Sequence, residues 1–180
     1  MVSAGPTAQP LVCIRKHMRH SFFTLALASV ICASSLAIEV GQSAPEIQLP
    51  GRTGAIKLSE LKGKAVYLDF WASWCGPCKQ SFPWMNEMQA KYGAKGLQVL
   101  AVNLDQKPED AANFLQQTKA DFLIALDPTG QSAQKYNVKG MPSSLLIGRD
   151  GKVTMVHTGF HAASKTELER AIVAALETGK

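Results

Sequence analysis

Two cysteines in the segment WCGPC, residues 74–78, most constrain what this chain can fold into. The apolar run before them, residues 65–71, predicts a buried strand, and residues 79–91 predict a helix. The cysteines therefore lie at a junction between a strand and a helix. Free backbone N–H groups and the positive end of the helix dipole stabilise a thiolate at such a junction. The pattern predicts a dithiol that closes reversibly into a disulfide.

The first 37 residues have the composition of an export signal. Basic residues precede an apolar run at residues 22–31, and Ser35 and Ala37 supply the small side chains that a cleavage site has at positions −3 and −1. We therefore predict a signal peptide over residues 1–37, cleaved after Ala37, followed by a mature domain at residues 38–180.

Three alternatives to this interpretation of the N-terminus stay open. Met18 would be a tidier start than Met1, because the residues before it make an awkward leader. The stretch 21–38 is near the length that spans a bilayer, so an uncleaved membrane anchor is the alternative to cleavage. A lipoprotein attached through Cys32 fits less well, because bulky residues precede that cysteine.

The number of cysteines favours reactivity over structure. Cleavage removes Cys13 and Cys32, which leaves Cys75 and Cys78 as the mature thiols. A ring this small restricts little of the unfolded chain, so its stabilising effect is slight. A CxxC motif is also half of a tetrathiolate zinc site, but such a site needs a second pair of ligands. Covalent haem attachment would need a histidine directly after the second cysteine, where this chain has Lys79. We expect no cofactor beyond the redox-active disulfide Cys75–Cys78, and no metal ligands.

Strands and helices alternate through the rest of the chain. We predict strands at 97–102 and 122–126, a helix that begins within 107–110 and a brief helix at about 132–136. Two further strands, 144–147 and 152–157, are predicted to form a hairpin, and a last helix follows at 166–176. This order predicts an α/β fold in which helices flank both faces of a central mixed sheet.

The same order resembles the thioredoxin fold family over about residues 40–178. Residues 68–79 are similar to thioredoxin itself. The export signal, the strand end at 102–105, an extra helix near 108–117 and the segment 126–130 resemble the TlpA/ResA-type thiol:disulfide interchange proteins of the bacterial envelope. The resemblance implies a thioredoxin fold with an N-terminal extension and an extra helix.

Within this family Cys75 is the expected nucleophile, and Cys78, more deeply buried, resolves the mixed disulfide. Gly76 and Pro77 admit the tight ring and resemble the reducing members of the family. Trp74 is expected to form a half-exposed apolar rim beside an exposed Cys75 sulfur.

Asp69 lies in the middle of the apolar strand, where burial raises the pKa of a carboxyl group. By resemblance, Asp69 takes the proton from Cys78. The alternative is a structural aspartate at a strand end, hydrogen-bonded to backbone. In thioredoxin a lysine on the neighbouring strand approaches this carboxylate, whereas Ala101 has that position here.

The resemblance also implies that the Met141–Pro142 bond is cis and that this segment binds an extended substrate by strand addition. The alternative is an ordinary trans turn. Ser81 is a departure from the family, because ResA-type proteins that reduce apocytochrome carry glutamate near this helix position. The absence of that glutamate weakens the hypothesis of a role in cytochrome maturation.

These observations lead to the hypothesis of an enzyme, an extracytoplasmic oxidoreductase that reduces protein disulfides. The first alternative is an oxidase that introduces them. A peroxiredoxin-like peroxidase would need Thr or Ser at Ala72. A copper-binding module could use His157 and His161, although solvated or capping roles explain both histidines more simply.

The expected partners are oxidised or reduced client proteins of the cell envelope. The resemblance adds a membrane electron donor of DsbD/CcdA type. Beyond residue 37 the 16 basic and 14 acidic residues are scattered, which does not favour nucleic acid as a partner. We expect a periplasmic monomer, with anchoring in the inner membrane as the alternative location.

Overall fold

A five-stranded mixed sheet lies at the centre of residues 38–178, the part of the chain that the computed structural model describes. The strands are β1 (Gln48–Pro50), β2 (Ala55–Lys57), β3 (Ala65–Trp71), β4 (Leu97–Asn103), β5 (Leu123–Leu126), β6 (Ser143–Ile147) and β7 (Val153–Thr158). The helices are α1 (Gly76–Tyr92), α2 (Pro108–Gln117), α3 (Gln131–Lys135) and α4 (Lys165–Glu177). The predicted signal peptide lies outside the described residues. Within residues 38–178 no helix is long and apolar enough to cross a membrane.

The strand order of the central sheet is β5-β4-β3-β6-β7. Strands β3, β4 and β5 are parallel, whereas β6 runs antiparallel to β3 and β7 antiparallel to β6. The parallel pairs are connected through α1 and α2, as parallel strands require a crossover. The mixed sheet predicted from the order of elements is confirmed.

Strand β3 is buried along its whole length and sends alternate side chains into two apolar layers. Tyr67 and Trp71 point into the layer that contains residues of α1 and α4, whereas Leu68 and Phe70 point into the opposite layer. That opposite layer is closed by the N-terminal extension, by a 3₁₀ turn at Leu58–Leu61 and by the segment at α3. Helical segments therefore cover both faces of the sheet.

The N-terminal extension contains a hairpin that the sequence analysis did not identify. Strands β1 and β2 pair antiparallel on either side of the predicted turn at residues 50–54. Each strand has three residues, which is too short for the alternation of apolar and polar side chains to reveal it.

Helix α1 begins at Gly76, three residues earlier than predicted, and continues through Pro83 to Tyr92. Pro77 lies in the first turn, where the missing backbone N–H costs no intrahelical hydrogen bond. The early start makes Cys75 the capping residue of the helix, and this position determines the geometry of the active site.

Candidate active site

Cys75 and Cys78 form a disulfide at the N-terminus of α1, with their Cα atoms 5.3 Å apart. The Sγ atom of Cys75 accepts a hydrogen bond from the backbone N–H of Cys78 at 3.3 Å. The same N–H group and the helix dipole would stabilise the Cys75 thiolate in the reduced protein. The predicted junction between strand and helix therefore supplies the expected electrostatics.

The two cysteines differ in exposure, as predicted. Cys78 is 0% exposed and Cys75 is 5% exposed. The prediction of an exposed Cys75 sulfur is wrong for this oxidised state, because the disulfide ties Cys75 to its buried partner. Trp74 is 72% exposed, well beyond the predicted half. An exposed indole thus lies directly before the buried Cys75, whereas Trp71 is fully buried in the core.

The buried carboxylate of Asp105 is hydrogen-bonded to the segment that precedes the cysteines. Asp105 accepts hydrogen bonds from the backbone N–H and the hydroxyl of Ser73, at 2.9 and 3.0 Å. It accepts a third from the side-chain amide of Asn103 at 2.7 Å. The sequence analysis missed this role, since it depends on the ends of β3 and β4 lying side by side. The polar residues directly after an apolar strand were the available signal.

Asp69 is almost fully buried on β3, where its neighbours are Ala101 on β4 and Ser144 on β6. The Ser144 hydroxyl donates a hydrogen bond to Oδ1 at 2.8 Å, whereas Oδ2 has no partner within the described residues. Burial raises the pKa of Asp69 to about 7, although the hydrogen bond from Ser144 lowers it in part. The raised pKa of Asp69 is as predicted. The alternative, an aspartate at a strand end hydrogen-bonded to backbone, is wrong, because the partner of Asp69 is the side-chain hydroxyl of Ser144 in the middle of the sheet.

Asp69 and Cys78 lie on the same side of the sheet. Asp69 is between Tyr67 and Trp71 on β3, and these two aromatic residues share one apolar cluster with Cys78. Burial, and then the charge of Asp69, raises the pKa of the Tyr67 phenol far above its usual value. The phenol therefore stays neutral, and Asp69 is the group on β3 that titrates near neutral pH.

The Met141–Pro142 peptide bond is cis, as predicted, and the trans alternative is wrong. Pro142 is buried at the start of β6, and its carbonyl accepts a hydrogen bond from the Gly159 amide at 2.8 Å. The backbone N–H and C=O of Met141 form no hydrogen bond within residues 38–178.

Two further residues have local partners. The buried Ser81 hydroxyl donates to the carbonyl oxygen of Cys78 at 2.9 Å, so this position contributes no carboxylate. His161 is a capping histidine, as the simpler interpretation predicted, because its Nδ1 accepts from the Ser164 amide at 3.1 Å. Across the described part of the chain, no three His, Cys, Asp or Glu side chains are grouped to hold a metal ion.

Comparison with known proteins also indicates thiol–disulfide chemistry. The model of the Redoxin family matches residues 39–172. The thiol-disulfide oxidoreductase ResA of Bacillus subtilis (strain 168) is 36% identical over 132 residues, which are 73% of this chain and 74% of that protein. ResA of Bacillus anthracis is 38% identical over 117 residues, 64% of this chain and 68% of its own length.

A solved structure shares the fold at higher identity. The crystal structure of a candidate thiol:disulfide interchange protein DsbE from Chlorobium tepidum is 60% identical, with a TM-score of 0.77, and the match covers 78% of this chain and 99% of that one. Together with the disulfide at the start of α1, these matches show that the chain belongs to the Redoxin family, in the TlpA/ResA branch of the thioredoxin superfamily, and is a thiol-disulfide oxidoreductase.

Proposed function

We propose that this oxidoreductase works outside the cytoplasm and reduces disulfides in client proteins. The observation that carries the proposal is the Cys75–Cys78 pair, in which one sulfur caps α1 and the other is buried behind it. Such a pair lets one thiol meet the client while the second completes the exchange. The redox-active disulfide is the only cofactor that this chemistry needs.

In the reduced protein, the Cys75 thiolate attacks one sulfur of the client disulfide and the other client sulfur leaves as a thiolate. A mixed disulfide then joins the client to Cys75. Cys78 attacks Cys75, the bond to the client breaks, and the internal disulfide forms. Because Cys78 is completely buried, a client reaches it only through Cys75.

Asp69 is suited to take the proton from Cys78 before this second attack. A carboxyl group with a pKa of about 7 is ionised in a substantial fraction of molecules at neutral pH, so it can accept a proton. Below that pH the carboxyl is already protonated and cannot. We therefore expect the resolving step, in which Cys78 attacks, to accelerate as pH rises through about 7.

The client is bound as an extended segment beside the disulfide. The free backbone groups of Met141 would pair with it by strand addition, and its side chains would contact the Met141 side chain and the exposed indole of Trp74. Gly76 and Pro77 present little side chain, so the client backbone can approach Cys75. By the family resemblance, we expect the buried Pro142 to lie beside the thiols, next to the client-binding Met141.

The reducing direction and the location rest on the sequence. The Gly76–Pro77 dipeptide resembles that of reducing relatives, and residues 1–37 have the features of an export signal. A reductant in an oxidising compartment must itself be reduced again. We propose a membrane donor of DsbD/CcdA type for that step, acting on a monomeric, periplasmic protein.

Redox equilibration tests the direction. The purified domain is incubated in thiol–disulfide buffers of known potential, dithiothreitol for the more reducing range and glutathione for the more oxidising one. The fraction of free Cys75 and Cys78 is determined by alkylation and mass spectrometry. A midpoint near about −270 mV supports the reductant, whereas a midpoint near about −120 mV would establish the oxidase instead. Fractionation of cells that express the full chain, with sequencing of the mature N-terminus, tests export and cleavage after Ala37.

A further inference from the structure

Three residues on three neighbouring strands form a row across the sheet beside the active site. The register pairs Asp69 on β3 with Ser144 on β6, and Ser144 with His157 on β7. Side chains at directly paired positions lie on the same face of a sheet. The row therefore joins the buried carboxyl of Asp69 to a strand at the edge of the sheet.

The buried atoms of this row are incompletely hydrogen-bonded. Ser144 donates to Oδ1 of Asp69 at 2.8 Å, and Ser144 is itself buried. The Nε2 atom of His157, the next residue of the row, has no hydrogen-bond partner within the described residues. Ser144 is therefore the residue of the row that acts on the carboxyl group through a hydrogen bond.

Other groups near Asp69 supply no positive charge. Ala101 occupies the paired position on β4, and Tyr67 on β3 stays neutral. The titratable residues that α1 buries are Cys78 of the redox pair and Tyr92, whose hydroxyl donates to Glu169. The ionic pair of Glu169 with Lys91 is at the surface, and the Lys165 amino group lies 6.0 Å from the Phe160 ring. The residues that α4 buries are all apolar: Leu168, Ile172, Ala175 and Leu176.

We propose that Ser144 is a positioning residue that stabilises the ionised form of Asp69 when Cys78 attacks. Its hydroxyl does so by donating a hydrogen bond to Oδ1 of the carboxylate at 2.8 Å. The inference rests on the proposed role of Asp69 as the base for Cys78.

Ser144 assists the step in which Cys78 resolves the mixed disulfide. The Sγ–H proton of Cys78 moves to the Asp69 carboxylate, and the Cys78 thiolate attacks Sγ of Cys75. The bond between Cys75 and the client breaks, and the client sulfur leaves with the electron pair as a thiolate. The client gains two electrons in the whole exchange, and the dithiol of the protein loses them. Anything that favours the carboxylate extends this step to lower pH.

The test follows the reaction of the reduced protein with dithionitrobenzoate. Attack by Cys75 releases a first coloured thiolate, and attack by Cys78 then releases a second, so the second phase reports the resolving step alone. Its rate is measured in a stopped-flow instrument across the pH range. Ser144→Ala is expected to raise the midpoint of this pH profile by about one pH unit, because a hydrogen bond to the charged form is lost. Ser144→Thr keeps a hydroxyl and should restore the original midpoint.

Ser143→Ala is the control, because it removes the neighbouring serine hydroxyl, which donates to the carbonyl oxygen of Gly140 and not to Asp69. An unchanged midpoint in Ser144→Ala, or an equal shift in Ser143→Ala, would overturn the proposal. If a variant folds poorly, NMR titration of the Asp69 carboxyl carbon in the oxidised Ser144→Ala protein gives the same comparison without turnover.

Asp69→Asn separates this inference from the function on which it rests. If Asp69→Asn keeps the original pH profile, Asp69 is not the base, and both proposals are wrong at that point. If Asp69→Asn removes the pH-dependent limb while Ser144→Ala leaves the midpoint unmoved, only the positioning role of Ser144 is overturned.

Discussion

The carboxylate of Asp105 accepts two hydrogen bonds from Ser73, which lies two residues before Cys75 of the redox pair. The connection joins the end of β4 to the segment that leads into α1. A third donor, the amide of Asn103, fixes the orientation of the carboxylate. The position of the redox pair therefore depends on a residue about thirty positions further along the chain.

Asp105→Ala should destabilise the domain and slow the reaction. The substitution leaves two donors of Ser73 and one of Asn103 without their acceptor, which costs about 1–3 kcal/mol for a buried group. Urea unfolding of the oxidised protein measures the loss, and insulin reduction measures activity. Asp110→Asn, on the exposed start of α2, is the control and should change both little. Equal stability of Asp105→Ala and the wild type would contradict the role given to this carboxylate.

Replacing each cysteine should give a different result. Cys75→Ser should abolish insulin reduction, because the buried Cys78 cannot reach a client directly. Cys78→Ser should instead accumulate mixed disulfides with clients, since Cys75 still attacks but nothing resolves the product. Non-reducing electrophoresis and mass spectrometry distinguish the two variants and identify the trapped proteins. Activity of Cys75→Ser equal to that of the wild type would rule out the proposed order of attack.

Asp69→Asn should make the oxidised protein more stable above neutral pH. The pKa of this carboxyl is about 7 in the native protein and 3.8 without the effects of the fold. The native state therefore binds the proton more tightly, and stability is lost as pH rises from about 4 through about 7. The uncharged amide avoids this loss, which is on the order of 4 kcal/mol for such a shift.

Urea unfolding at pH 5 and pH 8 checks the expectation about Asp69. The advantage of Asp69→Asn should be small at the lower pH and large at the higher one. Glu87→Gln, on the exposed surface of α1, removes a carboxylate without changing this dependence. An advantage that does not grow with pH would mean that the Asp69 carboxyl ionises normally.

Trp74→Ala should weaken client binding and leave stability nearly unchanged. The indole is mostly exposed, so its removal costs the fold little, within about 0.5 kcal/mol. In a complex the same ring would be covered by the client, and its loss should raise KM by about tenfold with a smaller effect on kcat. Val156→Ala, another exposed apolar residue, is the control. If both substitutions change KM equally, Trp74 has no special part in recognition.

The local features that were predicted correctly depend on near neighbours in the chain. The strand before WCGPC and the helix after it place Cys75 at the junction of the two elements, and the apolar neighbours of Asp69 are enough to predict its raised pKa. The cis bond at Pro142 followed from the family resemblance. The start of α1 was predicted three residues too late, because the capping residue is Cys75 and such caps are more often Ser, Thr, Asp or Asn.

Contacts between strands were not predictable in the same way. Ser144 is one of two adjacent serines, and only the register of β6 against β3 shows which of them meets Asp69. A shift of that register by one residue would turn Ser143 to Asp69 and Ser144 to the opposite face. The link from Asp105 to Ser73 depends in the same way on how the ends of β3 and β4 align.

The N-terminal extension has a consequence for how the domain meets other proteins. It pairs with both outer strands of the sheet, through Gly51 opposite Ala125 on β5 and through Ser43 opposite Lys152 just before β7. Outer strands with unpaired backbone groups attract other chains and lead to aggregation. By occupying part of each outer strand, the extension discourages indiscriminate pairing at the margins of the sheet. The proposed pairing of a client with the backbone of Met141 would then have few competitors.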